Sequence, residues 1–219
     1  MKKKGAIILG LTALMFSSCI EHEVIPAPIP TVDLTANFIG DINGAEIVLT
    51  ENVLSFANVS TKDQIILAAP DFSSAVYYSA MISPSISTSI KVGLGSVSWN
   101  ANVTPDPSIA SFNSFMLANA EPNPDPLYST NGTNGFAVTY TDATGREWKT
   151  NEASVMPQDV KFIKMAQDSD NSGDYSSFTC NFNCYAYSLH PDSLLLVPPV
   201  VQLDSISIEN AVYDGWFKR

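Results

Sequence analysis

The 219-residue chain sets 11 Lys and Arg against 22 Asp and Glu, a formal net charge of −11, and 45% of its residues are hydrophobic. The apolar content excludes a disordered chain, and the acidity excludes nucleic acid as a partner, because a field of this sign repels phosphate backbones and anionic headgroups. Removal of Lys2, Lys3 and Lys4 with the first eighteen residues leaves eight basic residues and a formal charge of −14 on the remainder.

Lys2, Lys3 and Lys4 are followed by an apolar run over residues 5–16 and by Ser17-Ser18-Cys19. A positive start, a short apolar stretch and small residues before a cut are the parts of a secretory signal, in order. The run is too short for a permanent span, which needs about 20 apolar residues. Phe16-Ser17-Ser18-Cys19 resembles the lipobox of bacterial lipoprotein signals, with Phe16 in place of the usual Leu. The resemblance implies that residues 1–18 are removed, that Cys19 is acylated, and that the protein is held on a membrane by its lipid. Pro26, Pro28 and Pro30 then alternate, so residues 19–31 read as the lipidated Cys and a semi-stiff spacer. Glu21 and Glu23 after the Cys resemble the surface-export signal of lipoproteins in the Bacteroidota, which implies the outer membrane and an outward-facing position.

Residues 32–219 read as a single all-β domain, rich in Ser, Thr, Val, Ile, Asn and Tyr and broken at short intervals by turn residues. Val32, Leu34, Ala36 and Phe38 alternate with polar residues, Asn43-Gly44 turns the chain into residues 45–50, and residues 53–59 predict another strand. Apolar runs at 64–69 and 75–82 flank Pro70-Asp71. Residues 86–94 lead through Gly93 and Gly95 into 97–103, where Trp99 shares one face with Val97, Ala101 and Val103 and is expected in the core. The proline-rich stretch 104–126 predicts a long connection with one helical turn. Residues 136–141, Asp142-Ala143-Thr144-Gly145 and 146–150 predict a hairpin with Gly145 at positive φ. Strands at 160–167, 175–189 and 203–212 and a terminal segment at 213–218 complete about ten, mostly antiparallel, and this spacing predicts a β-sandwich of immunoglobulin-like or jelly-roll-like type.

The stretch 135–150, the strand 178–187 with its Phe-x-Cys pattern, and the close Ile206-Ser-Ile-Glu-Asn-Ala-Val-Tyr-Asp-Gly-Trp-Phe are similar to small Bacteroidota surface lipoproteins of unknown function. That group combines a lipobox, a β-sandwich body and a last strand ending in Gly-x-Phe. The resemblance implies location and fold and carries no catalytic residues.

Several stretches are candidates for chemistry. Asp168, Asp170, Ser172 and Asp174, with Gly173 at the sixth place, resemble the first half of a calcium loop, although Thr179 stands where a bidentate Glu would complete it. In 178–187 the residues Phe178, Cys180, Phe182, Cys184 and Ala186 share the inward face. Asn181, Asn183, Tyr185 and Tyr187 therefore lie outward as a contact surface for glycan or protein. Trp148, Trp216 and Tyr140 could extend that surface into an aromatic platform. Asp192-Ser193-Leu194 and Asp204-Ser205-Ile206 resemble the Bacteroidota O-glycosylation site, making Ser193 and Ser205 candidate acceptors.

Enzymatic signatures are scarce. His22 and His190 are the two histidines, no Gly-x-Ser-x-Gly elbow occurs, and the Cys and His spacing suits no zinc site. Paired carboxylates of a glycoside hydrolase remain open among 22 acids. The expectation is an outer-membrane lipoprotein that binds glycan or protein without catalysis and without a resident cofactor other than Ca2+. The alternatives are a carboxylate-dependent envelope hydrolase and a purely structural envelope protein. Cys180 and Cys184, four residues apart on one strand, are expected to remain thiols. The rival is a fold-back at Asn181-Phe182-Asn183 that would join them.

Overall fold

The computed structural model describes residues 30–154, 156–190 and 202–219; the compact body is Thr31–Arg219. Its elements are β1 (Asn37–Ile42), β2 (Ala45–Thr50), β3 (Ala57–Ile65), β4 (Ser73–Ile82), β5 (Ser89–Trp99), α1 (Ile109–Ala118), β6 (Phe136–Thr141), β7 (Glu147–Thr150), β8 (Asp159–Asp170), β9 (Gly173–Leu189) and β10 (Leu203–Lys218). The body is all-β and its ladders are antiparallel. The strands join in one curled, half-barrel sheet in the order β2-β1-β10-β9-β7-β6-β5-β4-β3, with β8 paired to β9 beside that path.

Curling brings β3 and β4 against β10. Tyr213 Oη donates to Asn58 Oδ1 at 2.5 Å and lies 3.2 Å from Ser79 Oγ, while the Lys218 amide donates to Ser60 Oγ at 2.7 Å. These bonds close the curl through side chains, since β3 has no ladder to β10. The space enclosed is filled with rings. Phe178 stacks on Phe217 with centroids 4.5 Å apart, Phe162, Phe136, Phe182 and Tyr213 continue the cluster edge to face, and Phe38 lies edge-on to Tyr213 and tilted at 31° to Phe182. Edge-to-face packing suits the ring quadrupole, and each such pair adds roughly 0.5–1.5 kcal/mol beyond its burial.

The long connection between β5 and β6 covers the interior with α1, longer than the single turn expected. Ser108 caps it, accepting the Ser111 amide at 3.1 Å, and the helix buries Phe112 and Met116, with Phe112 edge-on to Tyr77 at 5.0 Å. Other expectations shift by several residues. Residues 32–36 precede β1 instead of forming its first half, 64–69 is mostly loop, and 53–56 is a turn before β3. The hairpins hold: Asn43 and Gly44 both have positive φ, and Gly145, at φ +85°, closes β6 onto β7.

Candidate functional site

β9 fixes the geography of the outer face. From Ser176 to Tyr187 its burial alternates strictly, so Phe178, Cys180, Phe182, Cys184 and Ala186 are buried while Asn181, Asn183, Tyr185 and Tyr187 lie half-buried on the opposite side, as the period-two pattern requires. β9 pairs with β8 and β10 over most of its length, and the extra residue at each irregularity belongs to its partner: Ile163 in β8, and the Glu209-Asn210 bulge in β10. β9 itself runs straight past both cysteines. Cys180 and Cys184 are free and buried, and burial pushes the Cys184 thiol up to about 12 and raises the Cys180 thiol well above its usual range. They are core side chains and not a nucleophile pair.

Around the far half of β9, three depressions adjoin one another. The middle one, of about 470 Å3, is bounded by Asp125, Tyr128, Glu152, Ser154, Gln158 and Asp159. It shares Asp125 with a space of about 530 Å3 beside Glu121 and Lys161, and shares Asp159 with one of about 270 Å3 formed by Asn183, Tyr185, Glu209 and Asn210. The result is an acidic, open groove of exposed carboxylates over a floor of amide and tyrosine groups.

That floor is tied together. Asn183 Nδ2 donates to both oxygens of Asp159 at 3.0 and 3.2 Å, and Asn183 Oδ1 accepts the amide of Asn210 at 2.7 Å, so one side chain clasps β8 to the β10 bulge. Asn210, at φ 51°, also donates to Asp41 Oδ2 at 2.8 Å. Tyr128 Oη donates to the carbonyls of Asp159 and Asn183 at 2.9 and 3.1 Å. Burial first, then the nearby thiols and Asp159, holds its hydroxyl far above the ordinary value, which makes it a fixed donor and not a titrating acid. Tyr187 Oη pairs with Ser154 Oγ at 2.8 Å, joining β9 to the groove wall. Asn181 Oδ1 and Gln158 Oε1 are buried without a protein partner.

Of the expected contact residues, then, Asn183 and Tyr185 line the groove directly, Tyr187 supports its wall, and Asn181 lies outside it. The aromatic platform does not form: Trp148, Trp216 and Tyr140 are buried, Trp148 under the guanidinium of Arg146 at 4.2 Å. The groove carboxylates come from three separate stretches, Asp125 from the β5–β6 connection, Glu152 and Asp159 from the β7–β8 connection and the first residue of β8, and Glu209 from the β10 bulge, and no single motif in the chain joins them.

The expected calcium loop is a tight hairpin instead. Asp170 pairs with Gly173 across the turn and Ser169 with Asp174, so Asp168 and Asp170 face one side of the ladder and Asp174 the other. Asp174 is engaged by Arg219 Nε at 2.8 Å and by Ser169 Oγ at 3.0 Å; Asp170 accepts the amides of Ser172 at 2.7 Å and Asp33 at 3.4 Å. The oxygens of Asp168, Asp170, Ser172 and Asp174 do not converge, and among the described residues no three His, Cys, Asp or Glu side chains are grouped for a metal. Ser205 is exposed, but it sits within β10 between Ile206, which is buried, and Asp204, which pairs with Arg146 at 2.6 Å. Cys19, His22 and Ser193 lie outside the described residues, as do the signal and nearly all of the spacer. Among the described residues no helix is long and apolar enough to cross a membrane. Comparison with protein-family models, with curated proteins and with solved structures finds no match.

Proposed function

We propose that the chain is a lipid-anchored protein of the outer membrane, exposed at the cell surface, whose body is a non-enzymatic binding module for glycan or protein. The observation that carries the binding half is the groove along the far half of β9, where Asp125, Glu152, Asp159 and Glu209 surround Tyr185 and the clasped Asn183. Carboxylates and amides receive the hydroxyls of a sugar or the amines of a basic segment, and a tyrosine offers an apolar face beside them. The excess of carboxylates favours neutral or cationic chains over sulfated or phosphorylated ones. Support for the anchor comes from residues 1–19 as sequence. The curl also favours a sandwich-like body, in which β1, β10 and β9 face β3, β4 and β5 across the aromatic core.

An array of neutral, amino and sulfated glycans, probed beside a set of basic peptides with the folded body and with Glu152→Ala and Tyr185→Ala, tests the module. Binding to a neutral or cationic class, reduced at least tenfold by each substitution, is the expected result. Binding indifferent to both substitutions, or confined to sulfated chains, would sink it. The rival hydrolase is favoured by one feature: Glu152 and Asp159 bound the same depression. Release of product in a glycosidase panel, lost in Glu152→Gln, would establish that reading in its place.

A further inference from the structure

Asp33, near the start of the body, meets the β8–β9 hairpin at Asp170. The same hairpin holds Arg219 through Asp174; Arg219 Nη1 donates to Pro107 O at 3.0 Å; and the neighbouring Asp106 accepts from Lys62 at 2.6 Å and Gln64 at 2.7 Å on β3. This chain of bonds sets the start of the body, the C-terminus and the outgoing end of β3 side by side. From that end projects the β3–β4 loop, residues 66–72.

The loop is apolar and open to solvent. Ile66 is 57% exposed, Leu67 42% and Phe72 64%, and Ile65 is 56% exposed at the last pair of β3. Val103, 77% exposed, joins them, because β5 ends at Trp99 opposite Ser73 and turns at 100–103 beside the loop. The conformation is held from within: Ser73, itself buried, accepts the Leu67 amide at 3.0 Å, and the Asp71 amide donates to Ala68 O at 3.1 Å. A fixed loop with several large apolar side chains turned outward is costly in water and marks a docking surface.

We infer that this crown, Ile65, Ile66, Leu67, Phe72 and Val103, rests in the interfacial region of a lipid bilayer beside the anchor. The inference rests on the anchor reading of Cys19. Between Cys19 and Thr31 lie eleven residues, which reach at most about 40 Å when fully extended, so the end at which the body begins is the end kept near the membrane. The groove lies on the far half of β9, towards Leu189, while Gly173 marks the end at which the body begins. Docking the crown therefore turns the groove outward. At this end Lys62 and Arg219 are neutralised by Asp106 and Asp174, and Asp33, Asp71, Asp168 and Asp170 outnumber Lys218, a balance that disfavours anionic headgroups and commits the partner to a zwitterionic surface.

The full acylated lipoprotein, reconstituted in phosphatidylcholine vesicles, tests this. Ile66→Cys and Phe72→Cys at the crown, and Leu54→Cys at the opposite end of β3, each take an environment-sensitive thiol dye, to which the buried Cys180 and Cys184 are inert. Flotation with the vesicles reports the anchor independently. Flotation with blue-shifted, iodide-shielded dye at 66 and 72 and unshifted dye at 54 is expected, the shift weakening while flotation persists as anionic lipid is added. Flotation without a shift at 66 and 72, or with an equal shift at 54, overturns the docking and leaves the anchor standing. Failure to float overturns both.

Discussion

At the scale of single residues, Asp142 shows how one carboxylate organises a turn. Its Oδ1 accepts the Thr144 amide at 2.8 Å, the Thr144 hydroxyl at 2.6 Å and the Arg146 amide at 3.1 Å, and its Oδ2 accepts Trp148 Nε1 at 3.0 Å. Partial burial works against its charge, but these donors outweigh it and draw the carboxyl from 3.8 down to about 2. A depressed carboxylate stabilises the fold fully above its unfolded value, and that contribution disappears as pH falls from about 4 through about 2. Asp142→Ala should therefore lower stability by about 1–3 kcal/mol at pH 7, with the difference from the parent narrowing across that acid window in urea melts. A constant difference down to pH 2 would contradict the assignment. Cys180 and Cys184 make a second residue-level prediction. On a straight strand their Cα atoms are roughly 13 Å apart, against the roughly 4.4–6.8 Å that a disulfide spans. The native body should resist alkylation, and the denatured body, without reductant, should take two alkyl groups by intact mass; none would mean a bridge.

Elements show what the sequence could and could not disclose. β9 was legible because one strand buried on a single face writes its register into a period of two, and the 142–145 turn because Asp and Gly have defined places in such loops. Residues 168–174 were misleading for a physical reason: alternating acids with a glycine suit an ion loop and also a polar hairpin, and only cross-strand register decides which side each carboxylate takes. Here Asp174 goes to Arg219, 45 residues further along the chain, a partner that no local spacing announces. The groove was equally hidden, because its walls come from the β5–β6 connection, the segment before β8 and the β10 bulge. The period of two places Asn183 outward, but its use as a clasp between Asp159 and Asn210 depends on both neighbouring strands. It follows that melts with excess calcium and with chelator should coincide, whereas Arg219→Ala should lower the midpoint, a loss of stability of up to about 1 kcal/mol for a partly exposed pair. A calcium-dependent rise abolished in Asp168→Ala with Asp170→Ala would restore the ion loop.

For the whole molecule, the start of the chain and the acidic body lead to one prediction. Residues 1–19 combine three lysines, a short apolar run and Ser-Ser-Cys, while everything after them carries a formal charge of −14. Such a body has no electrostatic attraction to an anionic membrane, and the small apolar crown adds little affinity beside that of two or three acyl chains, at about 0.8 kcal/mol per buried methylene. Membrane retention should thus depend almost wholly on Cys19. In cells given labelled palmitate, Cys19→Ala should lose the label and move from the membrane to the soluble fraction, while the body keeps its melting midpoint, because residue 19 lies outside Thr31–Arg219. Ile66→Ser with Phe72→Ser should leave both label and membrane fraction intact. Orientation is read separately with the parent protein: protease added to intact cells should degrade it, and protection that vanishes only on lysis would place it on the inner side. Label retained in Cys19→Ala would overturn the anchor, and release by the crown substitutions alone would transfer its role to the loop at 66–72.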